Sequence, residues 1–216
     1  MRPDIPKAIL FDWDNTLIDS WLTIHEALSA TFEVMGFPKW TLSETKRRAR
    51  KSLREAFPEL FGDRWQDAEE IFYGHFRANH IETLKPLPGI KPMLESLHAQ
   101  EIYLGVVSNK NGDYLRRECA HLGWNDYFGS IIGATDAKRD KPSPDPINLC
   151  LAGGNITAGP RVWYVGDTEM DMECATLAAC VPVLLLDKTE HIGDFNGFTP
   201  SIEFTTPHDL VQYINK

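Results

Sequence analysis

Short apolar runs with almost no polar interruption recur along this chain, and each gives way abruptly to polar residues. The first, Lys7-Ala8-Ile9-Leu10-Phe11, breaks off at Asp12-Trp13-Asp14-Asn15. The others are Ile102 to Val107, Ser130 to Gly133, Arg161 to Val165 and Val181 to Leu186. A strand that is apolar at successive positions buries both of its faces, so it needs a covering layer on each side. That is the situation of a strand in a parallel sheet between two layers of helices. The intervening segments read as helices. One opens at Pro88-Gly89 and runs to about Gln100, one spans about Asp113 to His121, and one starts at Pro146 and runs to Leu151. Another lies around Met172 to Ala179, and a last one begins at Thr206-Pro207 with proline in its first turn. Strand and helix in alternation predict an α/β fold with a doubly wound, Rossmann-like parallel sheet and right-handed crossovers. Pro182 lacks a backbone N–H and places the run beginning at Val181 at a sheet edge.

The alternation is interrupted once, after the first strand. In residues 20–84, Ile24, Ala27, Leu28, Thr31, Phe32 and Met35 recur at helical spacing. Thr41-x-x-Glu44 has the pattern of a capping box, in which each side chain binds the other residue's free backbone N–H. Leu42, Ala49, Leu53 and Phe57 continue a helical stripe, and Asp63 is placed to cap a third helix carrying Trp65, Ala68, Phe72 and Phe76. The expected organisation is a catalytic core of residues 1–19 and 85–216 with an all-helical segment, 20–84, inserted between them.

Composition limits the function. The 216 residues carry a net charge of −9, which gives little of the phosphate attraction behind non-specific nucleic-acid binding and no basic face for an anionic membrane. No apolar stretch approaches membrane-spanning length, and no signal core follows Met1, so a cytoplasmic protein is expected. Cys119, Cys150, Cys174 and Cys180 form no C-x-x-C pair and read as buried thiols of a reducing compartment. The seven histidines show no metal-ligand spacing and read as surface or packing residues.

In open α/β sheets, ligands bind outside the carboxyl ends of the strands. The first strand delivers Asp12 and Asp14 there, and the second delivers Ser108 and Asn109. The loop after the third holds Lys141-Pro142, and the fourth ends in Gly166-Asp167-Thr168, with Asp171 shortly after. Asp12 and Asp14 are two apart on a strand and start on one face. Carboxylates this close are costly without a cation, and a set of oxygen ligands suits Mg²⁺. Lys141 is placed to pair Asp12 and hold a phosphoryl oxygen. Ser108 offers a hydroxyl, followed by the free N–H groups of a helix start.

Taken together, Asp12-Trp13-Asp14-Asn15-Thr16-Leu17, Ser108-Asn109, Lys141-Pro142 and Gly166-Asp167-Thr168-x-x-Asp171 resemble the four motifs of the haloacid dehalogenase-like hydrolase superfamily, in order and over nearly the whole chain. The helical insert resembles that superfamily's helical cap. The resemblance implies that Asp12 is a nucleophile forming an aspartyl-phosphate and that Asp14 is the general acid and then base. It implies a supporting role for Thr16, and a phosphoryl group held by Ser108 and Lys141 with Asn109 at the substrate. Mg²⁺ would be bound by Asp12, the Asp14 carbonyl, Asp167 and Asp171. Relatives that cleave carbon–halogen bonds lack the second carboxylate, and transport ATPases usually carry Thr there, so Asp14 implies a phosphatase or mutase. Two positions depart from the usual pattern. Asn15 stands where Gly is common, and Asn tolerates left-handed backbone. Trp13 is bulkier than the usual aliphatic residue and is expected to pack in the core.

The insert also carries a basic run, Lys46 to Arg54, in which Arg47, Arg50, Lys51 and Arg54 are expected near one helix face. The segment Ser52-Leu53-Arg54-Glu55-Ala56-Phe57 resembles a cap segment of phosphoglycolate-phosphatase-like members, which would bring Arg54 to the substrate's leaving group; a solvated basic face is the alternative. The function expected is a Mg²⁺-dependent phosphatase of a small phosphorylated metabolite. Its rival is a phosphosugar mutase on the same core. A receiver-type phospho-accepting domain, usually much shorter and with adjacent acids, fits the D-x-D pattern and the helical insert poorly.

Overall fold

The computed structural model describes residues 5–49, 51–186, 195 and 197–216. They form two compact units, one of Met1–Ile18 with Pro86–Lys216 and one of Asp19–Lys85.

The first unit is built on a six-stranded sheet: β1 (Ala8–Phe11), β2 (Tyr103–Asn111), β3 (Ser130–Ala134), β4 (Val162–Gly166), β5 (Val181–Leu185) and β6 (Ile202–Phe204). Every pairing is parallel and the spatial order is β3-β2-β1-β4-β5-β6. The chain winds from β1 toward β3, crosses back over β1 to β4, and winds outward to β6. The order reverses beside β1, and in doubly wound sheets that reversal opens the ligand crevice.

Among the described residues, five α-helices of this unit accompany the sheet: α5 (Ile90–His98), α6 (Gly112–His121), α7 (Asp145–Ala152), α8 (Glu169–Leu177) and α9 (Pro207–Ile214). One core layer joins Ala8 and Leu10 of β1 and Val162 and Tyr164 of β4 to Ile147, Cys150 and Leu151 of α7 and Cys174 and Ala175 of α8. On the opposite face Trp163 packs at a tilt against Phe204 and against Tyr213 of α9, ring centroids 6.4 and 5.8 Å away. The central strands β1 and β4, buried at every position, therefore send alternate residues into two different layers, as the unbroken apolar runs require.

Two details differ from the sequence reading. β5 is not an edge strand, because β6 pairs outside it. Pro182 is tolerated because pairing with β6 starts only at Val183↔Ile202, so its missing N–H falls where β6 has not yet begun. The second difference is that β2 runs on to Asn111 instead of turning after Val107; the helix that follows begins at Gly112, within a residue of the start expected at about Asp113. This extension matters for the site.

The described residues of the second unit form four α-helices: α1 (Trp21–Met35), α2 (Leu42–Arg48), α3 (Leu53–Phe61) and α4 (Trp65–Asn79). The α1 helix ends at Gly36, whose φ of 74° takes the left-handed position that closes a helix. The Thr41–Glu44 capping box is present at the start of α2. Phe32, Phe57, Phe61, Phe72 and Phe76 form the buried centre, joined edge-to-face or stacked. His80 also packs here, stacked on Phe76. The expected stripe through Leu42, Ala49, Leu53 and Phe57 is not one helix. Ala49 leaves helical geometry and Ser52 takes the extended backbone of a helix start. Arg47 and Arg54 therefore sit on different helices, Lys51 lies between them, and Arg50 lies outside the described residues. Asp63 does not cap α4; it lies within a 3₁₀ turn, Gly62–Arg64, that leads into that helix. Among the described residues, no helix is long and apolar enough to cross a membrane.

Candidate active site at the carboxyl ends of the strands

Asp12 directly follows β1, and its N–H donates to the Val165 carbonyl of β4 at 2.9 Å, so the backbone beneath its carboxylate is held by the sheet. The chain then turns tightly. Leu17 and Ile18 N–H groups both donate to the Trp13 carbonyl at 3.0 Å, and Asn15 takes φ of 67°. This is the left-handed conformation for which asparagine is among the best non-glycine residues, and the turn is intact.

The Lys141 ammonium bridges Asp12, at 2.8 Å, and Asp171, at 2.7 Å. All three side chains are almost fully buried. Burial works to strip the lysine of its proton, but the two carboxylates outweigh it and hold the ammonium charged well above its ordinary range. The two acids respond differently to the same cation. Burial, with the charges of Asp171 and Asp14, pushes Asp12 up to about 6 despite Lys141. Asp171 is equally desolvated yet is held below the carboxylate range. Lys141 stabilises its anion most, and the Thr168 hydroxyl and N–H add two donors at 2.6 and 3.0 Å. Thr168 and Asp171 form the capping box of α8, so the spacing of Thr168-x-x-Asp171 is at once a helix start and a site element.

Asp167 is buried and accepts from the Thr16 hydroxyl at 3.1 Å. Oxygens of Asp12, Asp167 and Asp171 lie within 4.8 Å of one another. Three convergent buried carboxylates against one ammonium are a donor set that suits a hard divalent cation. The side chain of Asp14 is not part of this trio. Gly166 precedes Asp167 because a Cβ there would collide with the Asp171 side chain.

Ser108 is buried within the second half of β2, and its oxygen accepts from the Lys110 N–H at 3.3 Å. The helix start expected beyond Ser108 is at Gly112, separated from Ser108 by the last residues of β2. Asn109 does not point its amide at an open site. It clamps the lysine loop, accepting from the Lys141 N–H at 2.9 Å and donating to the Lys141 carbonyl at 3.1 Å. Arg54 belongs to the first turn of α3 in the second unit.

The sequence reading missed a second lysine. Lys110 places its ammonium 2.7 Å from Asp14 and 3.1 Å from Glu118, a buried residue of α6. Burial opposes its charge, but Asp14 and Glu118 together raise its proton affinity above the ordinary lysine value. A signal was available. Ser108 and Lys110 are two apart, as Asp12 and Asp14 are, and share a face if the strand continues through them. The Trp13 indole, fully buried as expected, donates to the same Glu118 at 2.7 Å. Cys119, Cys150, Cys174 and Cys180 are all buried free thiols, and burial raises Cys119 and Cys150 to about 12, so none is poised as a nucleophile.

The family model for haloacid dehalogenase-like hydrolases matches residues 9–184. Phosphoglycolate phosphatase of Aquifex aeolicus is 29% identical over 212 residues, covering 97% of each chain. A haloacid dehalogenase-superfamily hydrolase of Ehrlichia chaffeensis is 28% identical with a TM-score of 0.67, covering 100% of this chain and 98% of that one. A haloacid dehalogenase-like hydrolase of Bacteroides fragilis shares the fold at a TM-score of 0.87 and 23% identity, covering 95% and 99%. The chain belongs to the haloacid dehalogenase-like hydrolase family and is a phosphatase-type enzyme within it.

Proposed function

We propose that the chain is a Mg²⁺-dependent phosphatase of a small phosphomonoester that works through an aspartyl-phosphate on Asp12. The observation that carries this reading is the Lys141 bridge between Asp12 and Asp171 beside Asp167, which gathers a nucleophile, a cation and a ligand set at the strand ends. Asp12, Asp167 and Asp171, with the Asp14 carbonyl, are the groups to hold Mg²⁺. When bound, the ion supplies charge neutralisation for the phosphoryl oxygens.

An Asp12 carboxylate oxygen attacks phosphorus as the bond to the leaving oxygen breaks, and Asp14 delivers a proton to that oxygen. Asp14 then takes a proton from water as the water oxygen attacks phosphorus. The bond to Asp12 breaks, and phosphate and the free carboxylate are restored. Ser108 and Lys141 hold the phosphoryl oxygens throughout, which is where a protein contributes most to phosphoryl transfer. Asn109 acts by fixing Lys141. Arg54 is assigned to the leaving group, and residues 20–84 to a helical cap. The full-length identity to a phosphoglycolate phosphatase supports a small, acidic leaving group such as that of phosphoglycolate.

The test is release of inorganic phosphate from an aryl phosphate and from a panel of phosphorylated metabolites, with and without Mg²⁺. Asp12→Asn is expected to lose activity on the order of 10³-fold or more. Arg54→Ala is expected to raise KM for an anionic substrate. Full activity in Asp12→Asn would refute the mechanism.

A further inference from the structure

The two aspartates of Asp12-Trp13-Asp14 are each held by their own lysine, and each lysine is held in turn by a carboxylate on a helix. Lys141 joins Asp12 to Asp171 of α8. Lys110 joins Asp14 to Glu118 of α6. The second clamp is the one that the phosphatase reading leaves without a task. Glu118 sits in a helix with its side chain 1% exposed, and Lys110 at 6% is nearly as enclosed. A buried carboxylate on the apolar side of a helix is costly unless its partners are fixed. Here they are. A single oxygen of Glu118 receives both the Lys110 ammonium, at 3.1 Å, and the Trp13 indole N–H, at 2.7 Å. Trp13 is itself locked edge-to-face against Trp124, ring centroids 5.9 Å apart.

We infer that Glu118 is a positioning residue: with Trp13 as its anchor it holds Lys110 against Asp14 and so fixes the orientation of the carboxylate that moves the proton. The inference rests on the role proposed for Asp14. Lys110 lies between Asp14 and Glu118 at ion-pair distance from both, which places it to orient Asp14. The tryptophan between the two aspartates thereby has a function. Its N–H ties the Asp14 turn to α6 through Glu118, which an aliphatic residue at position 13 cannot do.

The test uses the full chain with saturating Mg²⁺ and an aryl phosphate. Glu118→Leu is expected to lower kcat about tenfold at unchanged KM, as misplacement of a reacting group does. Glu118→Gln keeps an oxygen for both donors and is expected to restore most of that loss. Lys110→Met should match Glu118→Leu, and the double variant should be no worse than Lys110→Met alone, because the two residues act as one unit. If Glu118→Leu does not fold, Trp13→Phe replaces it. It should lower kcat about two- to threefold in the wild-type background and not at all beside Lys110→Met. Wild-type kcat in these variants, losses that multiply, or a rise in KM in place of a fall in kcat would overturn the inference.

Crystal structures of the wild-type and Glu118→Gln or Glu118→Leu chains give a readout independent of turnover. Lys110 withdrawn from Asp14 in Glu118→Leu supports the clamp, and Lys110 unmoved there overturns it. A wild-type chain that releases no phosphate sinks the phosphatase reading without touching this structural result, so the two failures are distinguishable.

Discussion

Asn15 and Lys141 show how much a single residue decides in this site. Asn15 occupies the left-handed region at φ of 67° in the turn that aims Asp12 and Asp14. A β-branched side chain there meets the following carbonyl, so Asn15→Val is expected to cost about 1–2 kcal/mol, whereas Asn15→Gly should be close to neutral. Chemical denaturation of the two variants checks this, and equal midpoints would contradict it. Lys141 is the charge that makes the buried Asp12–Asp171 pair tolerable. Its replacement by Met leaves two buried carboxylates without their cation, which is expected to cost roughly 3–5 kcal/mol in the metal-free chain at neutral pH. A divalent cation binding the same carboxylates offsets part of that loss, so Mg²⁺ should raise the melting temperature of Lys141→Met more than that of wild type. Melts in EDTA and in Mg²⁺ decide the matter, and equal shifts would count against a cation at the acidic trio. Asp12, Asp14 and Asp167 were legible from sequence because they stand where an apolar run stops, and Lys141 because it lies in the loop after one. Lys110 and Glu118 were not. One lay in a segment that reads as a turn, and the other in a helix whose buried face gives no sign that a carboxylate belongs there.

At the scale of elements, the clearest sequence signals were reciprocal local bonds. In the α2 capping box the Thr41 N–H donates to Glu44 at 2.9 Å, and the Thr41 hydroxyl accepts from the Glu44 N–H at 3.2 Å. The Thr41 backbone and hydroxyl donors lower the Glu44 proton affinity below its ordinary value of 4.5. A depressed carboxylate adds stability above its unfolded-state value, and that contribution is lost as pH falls through the folded one. The first turn of α2 should therefore lose hydrogen-exchange protection as pH drops below about 4.5, after correction for intrinsic exchange rates, and Glu44→Gln should abolish that pH dependence. An unchanged profile in the variant would refute the assignment. The α8 box repeats the device inside the site, where the capping residue Asp171 also pairs Lys141. Element boundaries were harder to read. The break between α2 and α3 has neither proline nor glycine to mark it, and the extension of β2 to Asn111 depends on its pairing with β3, at Asn111↔Ala134, beyond a shift in register. Local pattern does not carry the second; for the first, Ser52-x-x-Glu55 is a helix-start pattern lying inside the apolar stripe that runs across it.

For the whole molecule, the sheet decides where chemistry takes place. Its order reverses beside β1, so the ends of β1, β2 and β4 and the loop after β3 meet at one edge although their residues lie up to 159 positions apart, from Asp12 to Asp171. The outer strand β6 is short, three residues, and is fastened through Phe204, which packs against Trp163 of β4 and Tyr213 of α9. Phe204→Ala should lower stability by about 3 kcal/mol and leave the kcat of the folded protein unchanged, because Phe204 lies on the outermost strand, three strands away from β1, with its ring packed against Trp163 and Tyr213. A denaturant midpoint close to wild type would show that the edge is held otherwise. The sequence by itself determined the α/β class, the helical insert after the first strand and the carboxylates at the strand ends. These follow from short-range patterns: unbroken apolar runs, helical spacing, and polar residues where a run stops. Only the tertiary structure decided that β6 covers β5, that Asn109 holds the Lys141 backbone, and that Trp13, Glu118 and Lys110 form a clamp on Asp14. Those outcomes depend on which distant groups share a buried space, and burial is what makes one specific partner, rather than water, the answer to each polar group.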